Sequence, residues 1–403
     1  MPLSTPAALF LQLMKYAENY IRSAIAIMEQ YNGSLPLAAF LKNYFAQHKK
    51  FGSKDRKRIA HLCYCYCRIG HAADALDTAE RLRIALFLCQ DEAGEWTSVF
   101  PEAWLDQWND DVTVRTRFIT ETYPSFEAGK IFLWTSALSA GIDPSAFLQS
   151  HLQQPDLFIR CRPGHEAAVT RKLTEASVPF TQQEQGAIAL PNATKLEDII
   201  VLDKEAVIQD LSSQRVAQVL AAGTPKIPAN VWDCCAASGG KSLLVKDQLN
   251  NINLTVSDVR QSILRNLAQR FERAGLKGYR SFVADLTMAD SVPVQSEFSL
   301  IICDAPCSGS GTWGRTPEQL LYFTEDRIAH YAALQQKIVA NAVRSLAPGG
   351  LFLYITCSVF SAENEDMARF IETTCKLEPV KVSLLKGYNE KADTMFAALF
   401  RRA

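Results

Sequence analysis

The chain has 403 residues, of which 48% are hydrophobic and 21% charged, and its net charge at pH 7 is −1. That length holds two or three domains with cores of their own, and the near-neutral balance excludes a globally basic nucleic-acid binder, so a nucleic acid would have to be met by local patches. No apolar run approaches the roughly 20 residues that span a bilayer, Ala7–Met14 lacks the basic leader of a secretory signal, and the eleven cysteines are an odd number; the expectation is a reduced, cytoplasmic protein with free thiols and no membrane partner.

Residues 1–125 read as helices. Leu9, Leu11, Leu13, Met14, Tyr16 and Ala17 begin an apolar stripe near helical spacing, and Ile59–Arg68 and Ala72–Cys89 continue it, with Pro36, Gly52 and Gly94 marking turns. Cys63, Cys65 and Cys67 fall within this pattern. A helix puts the outer two on one face and Cys65 on another. No CxxC or Cys/His partner follows at zinc spacing, so buried structural thiols are expected and no metal site. Lys49, Lys50, Lys54, Arg56, Lys57 and Arg58 are opposed only by Asp55. This run is either a solvated helix end or a patch that meets phosphates.

From about 126 to 200 the pattern loosens around Pro124, Gly129, Gly141 and Pro144. Extended runs at Asp156–Cys161, Pro179–Thr181 and Ala187–Leu190, with a helix-like His165–Ala176, predict a small α/β module. Arg160 and Arg162 lie on or beside its first strand.

From about 201 strands and helices alternate. Strand-like runs are Val231–Cys235, Leu254–Val259, Ser281–Ala284, Leu300–Cys303 and Leu351–Ile355, with helical Gln261–Ala274 and Asp326–Leu346 between them. This order predicts a parallel, doubly wound sheet. Pro379–Leu385 and Met395–Phe400 would add edge strands, the last one antiparallel.

In such a sheet, ligands sit beyond the carboxyl ends of the strands. Gly239-Gly240 lets a ligand approach the backbone, and the helix starting near Lys241 offers free amides to an anion. Asp258 ends the second strand, where it can take ribose hydroxyls, and Asp285 ends the third, placed to accept from an adenine amine. Asp304 and Cys307 follow the fourth strand, and Cys357 the fifth. Position 235 is Cys where a phosphate loop needs glycine, and no G-x-G-x-x-G is present, which argues against an NTPase and a nicotinamide enzyme. Cys303 reads as core. Cys234 and Cys235, as strand neighbours, are expected to face opposite ways.

The joint pattern resembles the RNA (cytosine-5)-methyltransferases of the Sun/Fmu type, the RsmB-like family, over about 207–370. Their cofactor loop, Asp-x-Cys-Ala-Ala-Pro-Gly-Gly-Lys-Thr, is Asp233-Cys-Cys-Ala-Ala-Ser-Gly-Gly-Lys-Ser242 here. Their Asp-Ala-Pro-Cys-Ser-Gly-x-Gly matches Asp304–Gly311, and Thr-Cys-Ser with Glu-Asn-Glu matches Thr356–Ser358 and Glu363–Glu365. Gln209–Gln214, Arg315 and Pro317 match further motif positions. Ser238 replaces the loop proline, Ser242 a threonine, and Gly314 an arginine found in many relatives.

The resemblance implies a class I, Rossmann-like methyltransferase domain over 201–403, an all-helical NusB-like RNA-binding domain over 1–125 and an RNA-recognition-like α/β module over 126–200. It implies S-adenosylmethionine held by Cys235, Ala236, Ala237, Ser238, Gly239, Gly240, Lys241, Asp258, Asp285 and Asp304. Cys357 would add to carbon 6 of cytosine, turning the ring into an enamine that takes a methyl group at carbon 5. Asp304 would hydrogen-bond nitrogen 3 or the amine, Cys307 would help remove the carbon-5 proton, and Lys241 would favour the Cys357 thiolate. Arg160, Arg315, Lys49, Lys50, Arg56, Lys57 and Arg58 are the candidate RNA contacts. Small-subunit ribosomal RNA is the favoured substrate, transfer RNA stays open, and a monomer is expected. A non-catalytic RNA-binding assembly factor is the rival reading, and the presence of both thiols, Asp258 and Asp285 counts against it.

Overall fold

A computed structural model of the chain describes residues 6–223, 229–291 and 298–403. The contacts divide it into two units, one of Met1–Ser136, Asp143–Gln154 and Trp313–Phe323, the other of Ala137–Ile142, Pro155–Thr312 and Thr324–Ala403. Among the described residues no helix is long and apolar enough to cross a membrane.

The first unit is helical. Its long helices are Pro6–Met28, Leu37–Gln47, Ser53–Arg68, Thr78–Cys89 and Val112–Thr122. Leu37, Leu41, Phe45, Ile59, Leu62, Leu82, Phe87 and Ile119 share one core. The side chains of Leu9, Leu11, Leu13 and Met14 from the expected stripe lie outside the described residues. Asp77 caps the fourth helix by accepting from the Ala79 and Glu80 amides, both at 2.9 Å. Cys63, Cys65 and Cys67 are all buried, although Cys65 points away from the other two, because the helix is covered on more than one side. Trp313–Phe323 joins this unit late in the chain: Trp313 packs on Phe132, Trp134 and Phe323, and Glu318 accepts from the Leu37 amide at 3.0 Å.

The second unit holds two sheets. The smaller has strands β1 (Leu157–Cys161), β2 (Thr181–Gln182), β3 (Ala187–Leu190) and β4 (Ala206–Ile208), all antiparallel in the order β2-β3-β1-β4. Val169 and Leu173 of the helix Glu166–Glu175 pack with Ile159 and Ile188 of this sheet. The fourth strand was not among the predicted runs: three residues are too few to show an alternation.

The larger sheet has β5 (Asn230–Asp233), β6 (Asn253–Asp258), β7 (Arg280–Val283), β8 (Phe298–Asp304), β9 (Leu346–Thr356), β10 (Leu377–Leu385) and β11 (Met395–Arg402), in the order β10-β11-β9-β8-β5-β6-β7. Strands β9, β8, β5, β6 and β7 run parallel; β11 is antiparallel to both β9 and β10. The tail is thus antiparallel as expected, but it is an interior strand, and β10 forms the edge. Side-chain alternation sends Leu300 and Ile302 into one core, with Leu243, Leu267 and Phe271, and Ile301 and Cys303 into the other, with Val339, Met367 and Ile371. Helices therefore cover both faces. The chain leaves β5 toward β6 and β7, then returns to lay β8 on the other side of β5. That reversal opens a crevice at the carboxyl ends of β5 and β8.

One expectation fails at this point. β5 stops at Asp233, so Cys234 and Cys235 belong to the turn and not to a strand. Strand alternation does not apply to them, and their sulfurs lie within 4.8 Å of each other and of the Cys303 sulfur.

Candidate functional site

The loop after β5 is built by its own backbone. The Cys234 amide bonds to the Ile302 carbonyl and the Ala236 amide to the Ser257 carbonyl, both at 2.9 Å, so the turn is pinned to the strands on either side. Ala237 has φ 44° and Gly239 φ 82°. A Cβ on Gly239 would stand 2.5 Å from the Phe271 ring, so glycine is required both for the left-handed backbone and for the close approach. The helix Gly240–Leu249 follows at once and presents its first amides at the crevice. Asp258, buried at the end of β6, accepts from the Ala237 amide at 3.0 Å and from the Arg260 amide at 2.9 Å. Asp285, just beyond β7, accepts from the Thr287 hydroxyl at 2.7 Å; that bond and the Thr287 amide hold its carboxyl below the usual range. Ser238, in place of the motif proline, is met by the Arg270 guanidinium at 3.3 Å, and Arg270 is itself anchored on Asp203.

Asp233 is fully buried and accepts from the Ser242 hydroxyl at 2.6 Å. Burial pushes its carboxyl up to about 7. Lys241 is buried too. Its ammonium donates to the Ser213 hydroxyl at 2.8 Å and stands 3.2 Å from the Asp304 carboxylate. Gln209 donates to the same Ser213 oxygen at 3.0 Å. Lys241 is thus ion-paired with Asp304, and Ser213, which Gln209 also meets, holds it there. The sequence displays both residues in the Gln209–Gln214 motif, but nothing in it says that they position a lysine.

Two loops bring the sulfurs together. The Ala305 amide bonds to the Ile355 carbonyl and the Gly311 amide to the Cys357 carbonyl, both at 2.9 Å, drawing the loop after β8 onto the end of β9. Cys307 and Cys357 then lie with their sulfurs 3.3 Å apart. The hydrogen bond to Cys357, together with burial, raises the Cys307 thiol.

Glu363, which sequence reasoning did not single out as a site residue, ties both loops. It accepts from the Ser308 amide at 2.9 Å, the Ser358 hydroxyl at 2.7 Å and Gln335 at 3.0 Å. Burial raises this carboxyl despite the three donors. Asn364 adds a bond to the Ser358 carbonyl at 2.9 Å and accepts from Thr356 at 2.6 Å. The Glu-Asn pair in the sequence is the available signal for this scaffold.

The candidate RNA contacts divide. Arg160 is 9% exposed, with its guanidinium on Gln209 at 2.8 Å and Asp247 at 2.7 Å. Asp247 also takes Arg162 at 2.6 Å. An arginine spent on buried acceptors cannot reach a phosphate, so Arg160 is corrected to a structural residue. Lys49, Lys50 and Lys57 are exposed on the helical unit. Arg56 donates to the Phe51 carbonyl at 2.9 Å, and Arg58 pairs with Glu95, so these two are partly used locally. Arg315, half-buried, belongs to the helical unit.

Residues 218–399 match the family model described as 16S rRNA methyltransferase RsmB/F. The ribosomal RNA small subunit methyltransferase B of Xylella fastidiosa (strain 9a5c) is 36% identical over 161 residues, which are 40% of this chain and 37% of that one. The probable ribosomal RNA small subunit methyltransferase B of Bacillus subtilis (strain 168) is 32% identical over 189 residues, 46% of this chain and 41% of that one. The tRNA (cytosine(72)-C(5))-methyltransferase NSUN6 of Mus musculus is 34% identical over 181 residues, 41% of this chain and 36% of that one. The chain thus spans less than half the length of these three relatives. Among solved structures, that of PH0851 aligns over 100% of both chains with a TM-score of 0.69 and 20% identity. A methyltransferase homolog protein from Pyrococcus horikoshii aligns over 67% of this chain and 93% of its own with a TM-score of 0.55 and 19% identity; both are likenesses of fold. The matched segment carries the doubly wound sheet, the glycine turn and both cysteine loops, and over those residues the chain is similar to the RsmB/F methyltransferase domain.

Proposed function

We propose that the chain transfers a methyl group from S-adenosylmethionine to carbon 5 of a cytosine in RNA, by way of a covalent adduct on Cys357, with small-subunit ribosomal RNA as the substrate. The observation that carries this reading is the pair of thiols from two strand ends, 3.3 Å apart, beside an Asp304 carboxylate steadied by Lys241. An enzyme that methylates an amine has no use for such a pair.

The residues fit the cofactor. The left-handed Gly239 turn gives backbone access, the following helix offers its first amides to a carboxylate, and Asp258 and Asp285 are acceptors for hydroxyl and amine groups. When bound, the cofactor supplies an electrophilic methyl group. The Cys357 thiolate adds to carbon 6 and makes carbon 5 nucleophilic. The Asp304 carboxylate accepts from the exocyclic amine and steadies the ring as its charge is redistributed. Once carbon 5 carries the methyl group, Cys307, acting as its thiolate, takes the proton from that carbon and becomes the thiol, and the re-formed double bond expels Cys357 as a thiolate. A base must leave any stack to reach both sulfurs, so a loop or an extruded nucleotide is the expected target.

In this reading residues 1–125 and 126–200 are RNA-facing modules, with Lys49, Lys50 and Lys57 meeting phosphates, and the protein works as a cytoplasmic monomer. Transfer RNA is the alternative substrate, because the mouse relative is named for it. The test is Cys307→Ala with substrate RNA and cofactor on a denaturing gel. A retarded protein–RNA band that disappears when Cys357→Ala is added supports the reading. Absence of a band in a folded, cofactor-binding protein overturns it.

A further inference from the structure

A second group of sulfurs lies outside the catalytic pair. Cys234 and Cys235 in the turn after β5 and Cys303 near the end of β8 place their sulfurs within 4.8 Å of one another, with Cys234 and Cys303 buried and Cys235 partly exposed. None of the three thiols takes part in the bond-making steps proposed above. We propose that Cys234, Cys235 and Cys303 form a three-sulfur site for a soft, thiophilic d10 cation of the copper(I) class.

Geometry comes first. Bonds of about 2.3 Å to a planar three-coordinate ion set the sulfurs about 4.0 Å apart. The triangle here needs at most about 0.8 Å of contraction on any edge. The number of donors comes second. A closed zinc site takes four donors, and soft thiolate donors are those that select copper(I); the group here has three. Charge is the third argument. One carboxylate oxygen of Asp233, the residue next to Cys234, is buried with no hydrogen-bond partner. A buried acceptor left without a donor favours a cation beside it. Access is through Cys235, the partly exposed member. Each ligating thiol releases its proton to solvent, so binding tightens as pH rises.

The test is anaerobic titration of the full chain with copper(I) against a chromophoric copper(I) chelator. Because the catalytic sulfurs could also take up the ion, it is run on the Cys307→Ser/Cys357→Ser protein. One tight equivalent is expected. Adding Cys234→Ser or Cys303→Ser should weaken it more than about tenfold, since even losing an outer-shell partner costs that much. X-ray absorption at copper should count three sulfurs, and this readout decides if a serine variant does not fold. The proposal is overturned by no retained equivalent in the Cys307→Ser/Cys357→Ser protein, by binding unchanged without Cys234 and Cys303, or by fewer than three sulfurs around the ion.

Discussion

Gly311 closes the loop that carries Cys307, and replacing it with alanine gives a sharp test of how the two sulfurs are brought together. A Cβ at this position would lie 1.9 Å from the Thr394 carbonyl oxygen, 2.9 Å from its carbon and 3.1 Å from the Cys357 carbonyl oxygen. Ordinary contact is about 3.5 Å, so the backbones must part by about 1.5 Å. The loop is held there by Gly311 donating to Cys357 and Thr394 donating to Gly311, each at 2.9 Å. Parting the strands loses both bonds, about 1 kcal/mol each, and crowding adds about 1–3 kcal/mol. The expected destabilisation is therefore about 3–5 kcal/mol. Urea unfolding should show a lowered midpoint with an unchanged slope. The sulfurs should separate as well, so the adduct and turnover should both fall even in the fraction that stays folded. A loss below about 1 kcal/mol, with full activity, would refute the reasoning, because the loop would then have another way to meet β9.

Other substitutions probe other parts of the site. Cys357→Ala should abolish methyl transfer and leave cofactor affinity unchanged in equilibrium binding; retained turnover would remove Cys357 from its role. Asp233 has a native value of about 7 against 3.8 for the free side chain. The folded state therefore binds its proton more tightly, so this group's contribution to stability is fullest below about pH 4, declines as pH rises towards 7 and is level above. The cost at neutral pH is up to about 4 kcal/mol. Asp233→Asn should remove that slope, and parallel stability curves for the two proteins between pH 4 and 7 would contradict the assignment. Arg160→Ala leaves the 7%-exposed Asp247 side chain with only Arg162. It should cost about 2–3 kcal/mol of stability without changing the salt dependence of RNA binding; a reduced salt slope would restore Arg160 as a phosphate contact.

The sheet was legible because its buried strands are apolar runs bounded by glycine, proline or acid, and both site cysteines stand where such runs end. β4 was hidden by its length. Cys234 and Cys235 were misplaced because β5 gives way to a turn at Asp233, and no period in the sequence marks where a strand stops pairing. Arg160 reads as a candidate RNA contact because its acceptors Gln209 and Asp247 lie 49 and 87 residues away. The bonds that Lys241, Ser213 and Glu363 make depend in the same way on residues brought together only by folding. Trp313–Phe323 follows the first cysteine motif directly, yet it packs with the helical unit through a cluster of aromatic rings far off in the chain. Composition shows that such residues are apolar and leaves open which core takes them.

The central claim is tested most directly by incubating the protein with labelled S-adenosylmethionine and RNA from cells that lack its gene. Ribosomal and transfer fractions are then separated and digested to nucleosides. The account predicts label in 5-methylcytidine, in the small-subunit ribosomal fraction. Label in no RNA fraction, from protein that still binds the cofactor, would contradict it.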